Sequence, residues 1–208
     1  MPDSRKPIIG AILAGGASSR FGSPKALATV DGVRIIDRVR RAIAEAVDDI
    51  VLIANEPELF ADLHLPTVGD RAPGMGPLAG VDAALRWAMG RGAGGALCVS
   101  CDLPFASSGL LREIVARGDA GRAVVPESER GIEPLCAWYP MSALAEIDRL
   151  LRSDDRSMRA LLAVVETERL PIDLVRRFGD PETLFFNVNT RDDLERAERI
   201  ARRTHASS

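Results

Sequence analysis

Apolar positions along this chain alternate between short continuous runs and longer runs at helical spacing. The stretch "PIIGAILA" (7–14) is short, apolar and rich in β-branched residues, the pattern of a strand buried on both faces. Between 34 and 48, Ile35, Ile36, Val39, Ile43 and Val47 recur near a period of 3.6 with Arg38, Arg40, Arg41 and Glu45 between them, which predicts an amphipathic helix. "DIVLIAN" (49–55) predicts a second strand, and Pro77 in the Gly/Pro-rich loop "VGDRAPGMGPLAG" is placed to open a helix through "LAGVDAALRWAM". Further on, "GGALCVSCD" predicts a strand, 108–117 a helix, "RAVVP" and "PLCAWY" strands, and 141–152 a helix. "SDDRSMRALL" (153–162) predicts a loop and then a helix, and "LFFNVN" (184–189) predicts a strand. A helix over "TRDDLERAERIARR" follows, with Thr190 and Asp193 at capping-box spacing. Strands alternating with helices predict an α/β fold: a single-domain, Rossmann-like wound and mostly parallel sheet with helices on both faces.

In such sheets ligands bind in the crevice beyond the carboxyl ends of the strands, near the point where the winding reverses. Four polar groups fall at predicted strand ends: the loop "AGGASSRFGSPK" (14–25), Asn55, Asp102, and Asn187 with Asn189. The loop is neither of two familiar phosphate motifs. Gly16 and Gly22 are one residue too far apart for a Walker A loop, "SPK" follows Gly22 where that motif needs Lys-Ser/Thr, and the loop holds no G-x-G-x-x-G. Its physical logic is still that of an anion site, because Gly15 and Gly16 allow close approach of bare backbone while Arg20 and Lys25 supply charge.

Composition narrows the ligand. With 208 residues, 46% of them hydrophobic, the chain has material for one full core, and residues 1–208 are expected to form one domain with its core at about 8–200 and a polar tail at 204–208. The 27 basic and 30 acidic side chains leave a net charge of -3, so no global positive field draws nucleic acid or an anionic membrane. Phosphate must be held locally. No apolar run reaches the roughly 18 residues of a membrane span and "MPDSRKPIIG" lacks a signal-peptide pattern, so a cytoplasmic setting is expected. Cys98 and Cys101 form a C-x-x-C, yet only Cys136, His64 and His205 remain to complete four zinc ligands, and Cys98 lies in an apolar run where a free Cys is commonly a small core hydrophobe; the reading is structural rather than redox or zinc-binding.

"LAGGASSRFGSPK" resembles the L-A-G-G-x-S-x-R-x-G-x-x-K signature of the nucleotidyltransferase superfamily, as found in molybdenum cofactor guanylyltransferases (molybdopterin-guanine dinucleotide biosynthesis protein A). "GPLAG" (76–80), "CDLPF" (101–105), "EPLCAWY" (133–139) and "FNVNT" (186–190) resemble later blocks of that family in order, so the likeness runs from about residue 8 to 200. It implies an enzyme that moves GMP from GTP to molybdenum cofactor with release of pyrophosphate. Its partners would be GTP and molybdopterin, with cofactor-delivery proteins or molybdoenzymes beyond them.

Carried over onto this chain, the resemblance implies that Leu13, Ala14 and Gly15 line the base and ribose, and that Arg20 and Lys25 bind the triphosphate. Asn55 and Asp70 would contact GTP, Asp102 would hold Mg²⁺, and Asn187 and Asn189 would meet the pterin acceptor. If 187–189 is a strand, the two asparagine side chains share one face. Two other readings stay open: a cytidylyl- or sugar-phosphate nucleotidyltransferase, which would keep the loop but change base and acceptor, and a non-catalytic nucleotide-binding domain, against which Asp102 argues.

Overall fold

The computed structural model describes residues 5–15, 25–72, 74–118 and 121–206. The chain opens with strand β1 (Ile9–Leu13), then a hairpin of β2 (Thr29–Val30) and β3 (Val33–Arg34), helix α1 (Ile35–Ala44), and strands β4 (Asp49–Ile53) and β5 (Thr67–Val68). Its middle section runs through α2 (Pro77–Met89), β6 (Gly95–Ser100), α3 (Ser108–Arg117), β7 (Ala123–Ser128), β8 (Gly131–Ile132) and β9 (Cys136–Pro140). Helices α4 (Ala143–Leu151) and α5 (Met158–Val164), strand β10 (Thr167–Leu170) and helices α6 (Ile172–Val175), α7 (Pro181–Leu184) and α8 (Arg191–Ala206) complete it.

Eight strands form the main sheet in the order β10-β7-β9-β6-β1-β4-β5, with β8 paired to β7. β1 runs parallel to β4 on one side and to β6 on the other, while β9 is antiparallel to both of its neighbours. Every residue of β1 is buried, as a central parallel strand requires. Alternate side chains of β1 enter two cores: Ile12 packs with Ile36, Val39 and Ile43 of α1 on one face, and Ile9, Ala11 and Leu13 pack with Leu78, Val81 and Leu85 of α2 on the other. Gly10 permits the close seating of α1, since a Cβ there would lie 2.5 Å from Ile43. From β1 the chain passes by α1 to β4 on one side and later by α2 to β6 on the other. The winding therefore reverses at the carboxyl end of β1, which fixes where a crevice forms.

The mostly parallel sheet with helices on both faces matches the expectation from pattern. Pro77 is the first residue of α2, and α3 spans Ser108–Arg117. At the start of α8 the Asp193 N–H donates to the Thr190 hydroxyl (3.1 Å) and the Thr190 N–H to the Asp193 carboxylate (3.0 Å), the reciprocal cap that their spacing predicts.

One expectation fails. "LFFNVN" is not a strand: Leu184 ends α7, and 186–189 run as irregular chain. The cause lies just upstream, where the Asp180 carboxylate accepts from the Thr183 N–H (3.1 Å) and Pro181 takes the first helical position, drawing the segment into a turn of helix. The Val188 side chain is still buried, but its N–H donates to the Asp102 carbonyl (3.0 Å) rather than to a sheet neighbour. Asn187 and Asn189 are therefore presented by a loop, and the same-face argument from strand geometry does not hold.

Candidate active site

Three strand ends are stitched together beyond the sheet. The Ala14 N–H donates to the Ile53 carbonyl (2.9 Å), and the Cys101 N–H donates to the Leu13 carbonyl (3.0 Å), so the ends of β1, β4 and β6 are held level. Just past β6, the Asp102 carboxylate turns into the crevice, its side chain only 10% exposed. Lys25, first residue of a 3-10 turn after the opening loop, reaches it: Nζ lies 2.7 Å from Asp102 Oδ2 and 2.8 Å from Asn189 Oδ1. One ammonium thus joins residues that are 77 and 164 positions away from it in sequence. Asp102 Oδ1 is buried and has no hydrogen-bond partner. An orphaned carboxylate oxygen in such a place carries a desolvation cost that a bound cation would offset.

A second cluster sits at the end of β4. The Asn55 amide donates to Asp70 Oδ2 (2.9 Å), and the Asp70 N–H donates back to Asn55 Oδ1 (2.9 Å). Gly15 faces this pair, since a Cβ built on it would come 4.0 Å from Asp70 Oδ2. Asp70 Oδ1 is also buried without a partner. The reciprocal bond leaves Asn55 and Asp70 fixed relative to each other, with one carboxylate oxygen still open to a donor.

The residues expected at the site divide as follows. Lys25, Asp102 and Asn189 come together in one group, and Gly15, Asn55 and Asp70 in another. Ala14 links them along the backbone. Leu13, the last residue of β1, has its side chain buried in the core against Gly80, and its carbonyl accepts from the Cys101 N–H, so its backbone is the part held at the crevice. Asn187 is held more loosely than Asn189, donating to the Phe185 carbonyl at 3.4 Å. Arg20, with Gly16 and Gly22, lies outside the described residues.

Asn187 and Asn189 also form part of the wall of a cavity of about 680 Å³, bounded by the β7–β8 turn, α7 and α8. Nothing in the pattern analysis pointed to it, because α8 reads from sequence as a solvated charged helix. Its first turn nonetheless anchors the site: Asp193 Oδ2 also accepts from the Asn189 N–H (3.1 Å), fixing the asparagine that touches Lys25. Burial works to raise the Asp193 pKa, yet the bonds from the Thr190 hydroxyl and the Asn189 and Thr190 amides hold it below the usual carboxylate range.

The cysteines are core thiols, all three buried. Burial pushes Cys101 up to about 12, with Asp102 adding to the rise, and pushes Cys98 higher still, so neither is a thiolate at neutral pH.

A wound α/β sheet with a lysine–carboxylate pair at its switch point and glycine backbone beside it is the architecture of a nucleotide-handling transferase. The family model of the MobA-like NTP transferase domain matches residues 10–171, and the chain belongs to that family. It is 33% identical over 193 residues to the molybdenum cofactor guanylyltransferase of Desulfosudis oleivorans, a match covering 92% of this chain and 94% of that protein. It is 31% identical over 198 residues to the enzyme of the same name from Cereibacter sphaeroides, covering 94% and 98%. Among solved structures, the molybdopterin-guanine dinucleotide biosynthesis protein A of Archaeoglobus fulgidus superposes with a TM-score of 0.77 at 27% identity, covering 94% of this chain and 99% of that one.

Proposed function

We propose that this chain, acting as a single domain in the cytoplasm, transfers GMP from GTP to the terminal phosphate of molybdenum cofactor and releases pyrophosphate. An acceptor phosphate oxygen forms a bond to the α-phosphorus, and the bond from that phosphorus to the β-phosphate bridging oxygen breaks. The observation that carries this reading is the position of Lys25 Nζ, held at 2.7 Å from Asp102 and 2.8 Å from Asn189 at the switch point.

Two anions must meet in this reaction, so the protein's task is to neutralise charge and align the reactants. Lys25 supplies a cation for the triphosphate and for charge moving onto pyrophosphate, assisted in this reading by Arg20. The acceptor phosphate is already ionised near neutral pH, so no general base is required. Gly15, Asn55 and Asp70 are assigned to the guanosine, the missing Cβ at Gly15 leaving room for a purine edge beside the carboxylate. Asn187 and Asn189 are assigned to the acceptor side, with Asn189 shared between acceptor and Lys25.

The donor set suits Mg²⁺. Asp102 Oδ1 is buried and unpartnered, and among the described residues no group of three or more His, Cys, Asp or Glu competes for a metal. Mg²⁺ commonly takes one or two carboxylates and fills its shell with waters and phosphate oxygens. When bound, it would polarise the phosphates and screen their charge.

Product analysis tests the reading: with Mg²⁺, GTP and molybdenum cofactor, the expected products are the guanine dinucleotide and pyrophosphate. Release of pyrophosphate without a dinucleotide product would refute it.

A further inference from the structure

The loop that carries Asn187 and Asn189 is held from three sides. The Val188 N–H donates to the Asp102 carbonyl (3.0 Å) and the Asn189 N–H to the Asp193 carboxylate (3.1 Å), contacts that belong to the end of β6 and the cap of α8. The third contact comes from the β7–β8 turn, 55 residues away in sequence, where Arg130 Nη2 donates to the Phe185 carbonyl at 2.7 Å. Transfer chemistry at Lys25 and Asp102 does not by itself call for an arginine there.

The turn sets this arginine in place. The Arg130 N–H donates to the Ser128 hydroxyl (3.1 Å), the hydroxyl donates to Glu133 Oε1 (2.7 Å), and the same carboxylate oxygen lies 3.6 Å from Arg130 Nη2. Glu133 is itself fixed to the sheet. Its side chain is 17% exposed, its N–H donates to the Pro126 carbonyl (2.9 Å), and two residues further on the Leu135 carbonyl accepts from the N–H of Ser100, the last residue of β6 (2.7 Å). The contacts thus close a ring that leaves the end of β6 at Asp102, passes through Val188, Phe185, Arg130 and Glu133, and returns to β6 at Ser100. Asn189 and its bond to Lys25 hang from that ring. The bond that closes it has a charged donor, which makes it stronger than an ordinary amide contact.

Resting on the guanylyltransferase reading, we propose that Arg130 is a positioning residue for the transfer: through the Phe185 carbonyl and Asn189 it holds the Lys25 ammonium beside Asp102. Asn189 Oδ1 accepts from Lys25 at 2.8 Å, so a small shift of the loop lengthens that bond and turns the ammonium away from the place where charge develops. Without Arg130 the loop keeps its bonds at Val188 and Asn189, and the fold survives. What is lost is the register of the asparagine. The role is indirect, so its effect must vanish when residue 189 has no amide side chain to place.

The test is a double-mutant cycle. Arg130→Met keeps the length of the stem and removes the donors, Arg130→Lys restores one donor, and each is made in the wild type and in Asn189→Ala. With GTP, Mg²⁺ and molybdenum cofactor, Arg130→Met is expected to lower kcat about tenfold with KM for the cofactor changed less than about threefold, and Arg130→Lys to recover most of the loss. In the Asn189→Ala background, Arg130→Met should cost less than about twofold. Amide exchange read by NMR needs no turnover: Val188 and Asn189 should exchange at least about tenfold faster in Arg130→Met, with Ile12 of β1 unchanged. Arg130→Gln takes its place if Arg130→Met does not fold. An equal loss of kcat in both backgrounds, or a raised KM for the cofactor with kcat retained, overturns the proposal and leaves the proposed function standing. If the wild type makes no dinucleotide, the guanylyltransferase reading falls and exchange decides the rest: faster exchange at Val188 and Asn189 upholds the tether, and unchanged exchange overturns it.

Discussion

Lys25 Nζ lies 2.7 Å from Asp102 Oδ2, an ion pair between the turn after β1 and the end of β6, with the two side chains 23% and 10% exposed. The pair occupies one carboxylate oxygen and leaves Oδ1 buried and open. Asp102→Asn keeps the shape but removes the charge that would hold a cation, so we expect turnover to fall at least about a hundredfold. Circular dichroism should show an intact fold. A folded variant with near-normal Mg²⁺-dependent turnover would remove Asp102 from the metal role.

Lys25→Ala deletes the other partner. A charge-assisted contact to phosphate is lost, and GTP binding should weaken by about 2 kcal/mol. The substitution also leaves Asp102 without a counter-charge, so the rate should fall further than binding alone explains. Isothermal titration with GTP separates the two effects, and an unchanged titration would return Lys25 to a solvated turn.

The two asparagines should not behave alike. Asn189 touches Lys25, whereas Asn187 reaches only the Phe185 carbonyl and the cavity. Asn187→Ala is expected to raise KM for the cofactor with kcat retained, and Asn189→Ala to lower kcat by freeing the ammonium. Steady-state kinetics with each substrate varied in turn checks this; identical profiles for the two variants would contradict the division.

Much of this was legible in the sequence, and what was missed has physical causes. Continuous apolar runs marked the parallel strands β1, β4 and β6, and Asn55 and Asp102 stand just past the ends of β4 and β6, as the pattern placed them. The segment 184–189 misled because alternation of apolar and polar residues is shared by a strand and by a loop whose alternate side chains, such as Val188, are pinned under a sheet edge. The hairpin at Asp31 and Gly32, both at positive φ, carries an Asp-Gly turn signal that pattern alone could have found. The role of α8 was not legible: a charged face toward a cavity and one toward open water have the same periodicity.

Asp193 gives a pH-dependent prediction. Its folded pKa is lowered, so its contribution to stability is present above its unfolded value of about 3.9 and is lost as pH falls through the folded value. At neutral pH, Asp193→Ala should cost about 1 kcal/mol through loss of the α8 cap. Thermal melts of both proteins from neutral to acid pH should converge at the acid end; a gap that persists or widens there would contradict the assigned cause.

Base choice reads out the pocket at Gly15. Gly15 lies beside Asp70, where a carboxylate oxygen is open and an added Cβ would meet only ordinary contact at 4.0 Å, so Gly15→Ala should fold normally and change only what the site accepts. The decisive measurement offers the wild type an equimolar mixture of GTP, ATP, CTP and UTP with Mg²⁺ and molybdenum cofactor, and identifies the dinucleotides by mass. The guanine dinucleotide is expected in large excess, with the excess eroded in Gly15→Ala. Predominantly cytosine dinucleotide, or an even mixture from the wild type, would contradict it.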